Sequence, residues 1–302
     1  MHLWLSLAYE NLSVLWFWPR YSEDDILDAG VELYLDLLKR CLMNSIYSNY
    51  EVRDFLPSRG YKRLLYRLCL QPLLRRSGAR VVTDYPYDDQ KRFNGTDWSP
   101  MAHTMIGKNR LDNLQYCIQQ VLEKKIPGDL IETGVWRGGA TIFMRGMLKA
   151  CGDSSRKVWV ADSFEGLPEP DSQTYPKDRG DRHHTHRELA ISLETVKENF
   201  QRYDLLDDQV CFLKGWFKDT LPTAPIETLA ILRLDGDMYE STMDGLKNLY
   251  HKLSPGGFLI VDDYGAVDAC RECIHDFRDE QGIDDEIVRI DWGGVYWQKT
   301  AA

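Results

Sequence analysis

Two short acidic runs carry the strongest chemical signal in the chain: Leu234-Asp235-Gly236-Asp237 and Val261-Asp262-Asp263. Each follows a largely apolar stretch of strand length, Leu229 to Leu234 and Phe258 to Val261. Their acids therefore stand at the carboxyl ends of predicted strands. Neighbouring parallel strands lie about 4.8 Å apart, so Asp235, Asp262 and Asp263 can converge on one small point. Carboxylates without histidine or cysteine form an all-oxygen set suited to Mg²⁺, Mn²⁺ or Ca²⁺. Uncompensated, they would repel one another and hold protons. A solvated acidic rim is the alternative that the residue types leave open.

A second constellation lies upstream. The run Ile131-Glu132-Thr133-Gly134-Val135-Trp136-Arg137-Gly138-Gly139 is an acid-ended strand entering a glycine-rich turn. It lacks the close glycine spacing of the G-x-G-x-x-G dinucleotide fingerprint, which lets a pyrophosphate approach a helix start. An acid before such a turn suits a cationic ligand with a zwitterionic tail. Asp162 ends the next predicted strand, where a carboxylate can accept hydrogen bonds from both hydroxyls of a ribose. S-adenosylmethionine has all of these parts and no phosphate. His183, His184 and His186 sit in a polar stretch from Asp171 to Arg187. A zinc cluster is one reading; a lid over the ligand edge of a sheet is the one preferred, with a histidine reaching the substrate as a further option.

The elements that must position these groups follow from periodicity. Asp24 to Ser45 has helical spacing through Ile26, Leu27, Val31, Leu35, Leu38 and Leu42, and a basic, leucine-rich helix is predicted over Gly60 to Arg76. Residues 83 to 100 have turn residues and aromatics without a period. From about residue 127, strands alternate with helices. Strands are predicted at Gly128 to Glu132, Val158 to Ala161, Val210 to Leu213, Leu229 to Leu234 and Phe258 to Val261. Helices are predicted at Ala140 to Ala150, Leu189 to Tyr203, Ser241 to Leu253, where Ser-Pro-Gly-Gly stops it, and Ala266 to Glu280. Ile287 to Ile290 and Val295 to Trp297 form a closing antiparallel pair. This alternation implies an α/β fold, a doubly wound, mostly parallel sheet of about seven strands whose ligands bind at the strands' carboxyl ends. A helical N-terminal extension over residues 1–100 would precede a ligand-binding domain over 101–302.

The 302 residues carry a net charge of -10, which argues against a phosphate backbone as partner. Seven cysteines, an odd number scattered along the chain, predict reduced thiols in a cytoplasm rather than a disulfide framework. Cys270 and Cys273 read as two thiols on one helix face. The apolar, aromatic first eighteen residues lack a basic start and a cleavage site, and are too short to span a bilayer. They read as an amphipathic segment packing on the body or on a second subunit, and Trp4, Trp16, Phe17 and Trp18 favour burial in a homo-oligomer, a dimer or higher.

The runs Asp129 to Gly139, Ala161 to Pro168, Phe212 to Leu221, Leu232 to Thr242 and Leu253 to Gly265 resemble the macrocin O-methyltransferase family, as do Leu35 to Leu42 and Ala102 to Gly107. Members methylate sugar hydroxyls on macrolides and related antibiotics. The resemblance implies a Rossmann-like, S-adenosylmethionine-dependent enzyme acting on a glycosylated small molecule. It implies Asp235, Asp262 and Asp263 as magnesium ligands and Asp237 as general base. It implies a methyl-donor site at Glu132, Gly134, Asp162, Ser163 and Trp216, with Thr104-Met105 folding over it. A sugar hydroxyl is about as weak an acid as water, with a pKa of about 16, so a Lewis acid and a base are both expected to assist its attack. Asp237 could instead cap the helix predicted from Ser241. A metal-dependent enzyme acting on catechols is one rival, since a phenol ionises near about 10. A non-catalytic S-adenosylmethionine-binding protein is another.

Overall fold

A computed structural model describes residues 23–57 and 60–300, with side chains from residue 29 onward. The aromatic N-terminal run lies outside the described residues. Helix α1 (Glu23–Leu42) is followed by the short strand β1 (Val52–Asp54) and a helical arm of α2 (Tyr61–Leu65) and α3 (Gln71–Arg76). Strand β2 (Val82–Asp84) pairs antiparallel with β1. Three residues each are too few to show a period, which is why both strands escape the sequence pattern. The arm was expected as one helix; a π turn over Tyr66–Leu70 joins its halves. Pro72 lies just beyond, without an N–H to donate and with a ring that crowds the carbonyl four residues earlier.

Helix α4 (Asp89–Asn94) and helix α5 (Gly107–Glu123) lead into the main sheet. Periodicity did not single out α5, whose asparagines and glutamines dilute its apolar face. That face buries Arg110, Leu111, Leu114, Cys117, Ile118 and Val121. Next come β3 (Asp129–Thr133), α6 (Gly139–Ala150), β4 (Val158–Asp162), α7 (Leu193–Arg202), β5 (Val210–Lys214), α8 (Phe217–Thr220) and β6 (Leu229–Leu234). Helix α9 (Tyr239–Leu249), β7 (Leu253–Val261), α10 (Asp268–Gln281), β8 (Val288–Arg289) and β9 (Val295–Gln298) complete the chain.

The seven strands stand in the order β5-β4-β3-β6-β7-β9-β8, the first five parallel and β9 antiparallel to both neighbours. The winding reverses between β3 and β6, so a crevice opens at their carboxyl ends. Successive residues of β3 feed opposite layers: Leu130 joins Phe143 and Phe200 on one face, Ile131 joins Leu246 and Ile274 on the other. Helix α1 is part of the first layer, through Leu35, Leu38 and Leu42. Gly146 permits that approach, since a β-carbon there would lie 2.6 Å from a Leu38 methyl.

Ser-Pro-Gly-Gly proves to be part of β7 rather than a helix stop. Helix α9 ends at Leu249, and the register of β6 on β7 jumps from Leu229–Leu253 to Ile231–Phe258. Pro255 has no N–H for the ladder, and the chain bulges around it. Among the described residues no helix is long and apolar enough to cross a membrane.

Candidate active site

Register brings the two acidic runs together. Leu234 pairs with Val261 at the carboxyl ends of β6 and β7, and the next residue on each strand is an aspartate. Oxygens of Asp235, Asp262 and Asp263 lie within 4.8 Å of one another. Burial raises the pKa of Asp235 and Asp263 well above the ordinary range; mutual repulsion adds to it. An all-oxygen set of this compactness fits a hard divalent cation. Asp237 adopts a left-handed backbone (φ 57°), and its N–H donates to Asp263 Oδ2 at 3.0 Å. Burial pushes its carboxyl up too, with Asp262 and Asp181 adding to the rise and His183 opposing it.

Two arginines that the sequence reading did not single out compensate this charge. Arg233, inside β6 and 1% exposed, donates through Nη1 to Glu132 and, at 2.7 Å, to Asp235; its Nη2 donates to Asp262. Arg110 reaches from α5 to the other oxygen of Asp262 and, through Nε, to Asp291 at 2.9 Å. Asp262 is thus gripped on both oxygens, which orients it for a ligand while tying it to the core. Glu132, expected to face a methyl donor, is buried against Arg233, and its Oε2 has no hydrogen-bond partner among the described residues. Burial pushes its pKa up to about 7, despite the opposing pull of Arg233. The signal for Arg233 was present, a cation inside an apolar strand, but its purpose is visible only beside Glu132 and Asp262.

The remaining predicted residues, Thr104 apart, surround one cleft. Gly134, Asp162, Ser163, Trp216 and Met105 line it, together with Asp235 and Asp237. Gly134 (φ +87°) lets the turn touch the next strand end, since a β-carbon would lie 1.7 Å from the carbonyl oxygen of Asp235. Asp162 accepts from the N–H groups of Val135 at 2.8 Å and Phe164 at 2.7 Å, joining the glycine turn to the end of β4. Ser163 donates to the Gly166 carbonyl at 2.6 Å. Thr104 is buried beside Gly139 and does not reach the cleft.

The polar segment after β4 closes one side. The buried Asp178 accepts from the N–H groups of Tyr239 at 2.7 Å and Glu240 at 3.0 Å, and so caps α9. The capping left open for Asp237 therefore falls to Asp178, a residue 61 positions before Tyr239. Lys177 pairs with Glu272 of α10, and Trp136 Nε1 donates to the Glu188 carbonyl at 2.9 Å. His183 stands beside Asp237, whereas His186 stacks edge-on against Trp98 at 5.3 Å.

A doubly wound sheet whose cleft at the reversal point is lined by the glycine turn, Asp162 and Asp235 fits one class, which its relatives bear out: an S-adenosylmethionine-dependent methyltransferase. Residues 31–299 match the macrocin-O-methyltransferase (TylF) family, and the chain belongs to it. It is 52% identical over 272 residues to the 8-demethyl-8-(2,3-dimethoxy-alpha-L-rhamnosyl)-tetracenomycin-C 4'-O-methyltransferase of Streptomyces olivaceus, covering 90% of this chain and 94% of that protein. It is 50% identical to the mycinamicin III 3''-O-methyltransferase of Micromonospora griseorubida, covering 90% and 98%. The solved O-methyltransferase NovP superposes with a TM-score of 0.76 at 46% identity, covering 90% of this chain and all of that one.

Proposed function

We propose that this methyltransferase acts, with a divalent cation, on a sugar hydroxyl of a glycosylated natural product. The observation that carries the reading is the convergence of Asp235, Asp262 and Asp263 within 4.8 Å, with Asp235 and the neighbouring Asp237 lining the same cleft as the glycine turn. The names of two relatives, a rhamnosyl-tetracenomycin and a mycinamicin methyltransferase, support a sugar as acceptor.

Asp235, Asp262 and Asp263 would hold the cation, Mg²⁺ or Mn²⁺, which supplies Lewis acidity toward the acceptor oxygen. Glu132 and Arg233 keep the turn and the cluster in register. Asp162, Ser163 and Trp216 seat the donor, and Met105 covers it. Asp237 takes the hydroxyl proton as the oxygen attacks the methyl carbon, and the cleft's fixed geometry supplies the alignment. Incubation with S-adenosylmethionine, Mg²⁺ and a panel of glycosylated natural products, read by mass spectrometry, tests this. A mass gain of one methyl on a sugar, abolished by EDTA and restored by Mg²⁺, is expected; full turnover in metal-free buffer overturns the metal assignment.

Assembly is part of the same proposal. Leu64, Leu65, Leu68 and Leu73 of the helical arm are 56–67% exposed, an apolar surface that a second copy can cover. Light scattering should return at least a dimer.

A further inference from the structure

Asp237 has an awkward station for a base. Its left-handed backbone is one that few non-glycine residues adopt, and its N–H is committed to Asp263. No hydrogen bond to another described residue fixes its carboxylate. Rotation of an aspartate about its last torsion is soft, yet proton abstraction requires one oxygen to face the acceptor within hydrogen-bond reach.

One side chain is placed to remove that freedom. Nε2 of His183 lies 4.0 Å from Asp237 Oδ1. His183 is itself held twice by Asp181, once at the backbone and once at the ring: its backbone N–H donates to Oδ1 at 2.8 Å, and Nδ1 lies 2.6 Å from Oδ2. A ring whose Nδ1–H is committed to a carboxylate has its orientation set and directs Nε2 at the remaining partner. Burial alone would lower the imidazole's pKa, but Asp237 and Asp181 outweigh it and raise it. The segment carrying the pair is docked at both flanks, by Asp178 on the start of α9 and by Trp136 on the Glu188 carbonyl.

We propose that His183, oriented by Asp181, is a positioning residue that holds one oxygen of Asp237 and turns the other toward the acceptor hydroxyl. The inference rests on the reading of Asp237 as the base. In the step it serves, the acceptor O–H bond breaks and the proton goes to the free oxygen of Asp237. The acceptor oxygen forms the new bond to the methyl carbon, and the carbon–sulfur bond breaks with its electron pair left on sulfur. His183 neither gains nor loses a proton.

The test uses the full chain with Mg²⁺ and the glycoside turned over fastest in the panel above. His183→Phe should lower kcat by about 10- to 100-fold, the scale of a misplaced catalytic group. KM for the acceptor, affinity for S-adenosylhomocysteine and melting temperature should stay near the wild-type values. His183→Gln keeps an N–H donor near the position of Nε2 and should recover most of the loss. In an Asp237→Asn background, His183→Phe should cost little more, since the group it positions is gone. An equal loss in that background, or no loss in the single variant, overturns the proposal. Full turnover by Asp237→Asn alone would instead sink the base assignment, and the inference with it. A readout independent of turnover is the ¹⁵N resonance of His183 Nε2, which should move in Asp237→Asn; an unmoved resonance also overturns the contact.

Discussion

Arg233→Met removes a cation from the buried charge cluster at the carboxyl ends of β3, β6 and β7. The guanidinium is 1% exposed and serves three carboxylates, Glu132, Asp235 and Asp262. Methionine preserves much of the apolar stem, so the loss is chiefly of charge and hydrogen bonds. Removing one member of a buried ion network leaves the others uncompensated, at a cost of about 3–5 kcal/mol. For a chain this size that is a fall in melting temperature of roughly 5–8 °C. The cost should depend on pH. Glu132 rises from its ordinary 4.5 to about 7 even with Arg233 present, and without it rises further. An acid raised on folding binds its proton more tightly in the native state, so its contribution is full below its unfolded pKa and is lost as pH rises through the folded one. For Glu132 the window runs from about 4.5 to about 7 in the wild type and extends upward in the variant. Melting should therefore be measured in EDTA at pH 5.5 and pH 8. The variant's deficit is expected to be larger at pH 8, and Glu132→Gln should recover part of it. A deficit equal at both pH values would refute the electrostatic origin; no deficit at pH 8 would refute the network itself.

Three further substitutions probe the cleft and its supports. Asp162→Ala should weaken S-adenosylhomocysteine by roughly 1.5–3 kcal/mol, the range for a charge-assisted hydrogen bond, and calorimetry showing unchanged affinity would remove Asp162 from the donor site. Gly134→Ala forces a β-carbon to within 1.7 Å of a carbonyl, so soluble protein with native donor affinity would contradict the close packing of turn on strand. Asp178→Ala deletes the cap of α9 and should cost about 0.5–2 kcal/mol, read by urea unfolding, together with faster amide exchange at Tyr239 and Glu240.

The chain by itself determined the layers and the strand tips. Apolar runs of strand length alternating with helices make a parallel sheet the economical burial, and an acid after an apolar run must sit at a sheet edge. Asp235, Asp262, Asp263, Gly134 and Asp162 were legible for that reason: their positions follow from local pattern plus one rule of sheet geometry. What escaped was short or non-local. Strands β1 and β2 are three residues each. Ser-Pro-Gly-Gly looked like a stop because whether a proline ends an element or is bulged within a strand is visible only in the register of β7 on β6. Asp178 caps a helix 61 positions onward, and Arg110 pairs across 152. A charge's partner is chosen by distance in space, and a buried charge must find one because desolvation otherwise forbids it. Which guanidinium would meet which carboxylate, and which histidine would stand beside Asp237, were therefore decided by the tertiary structure.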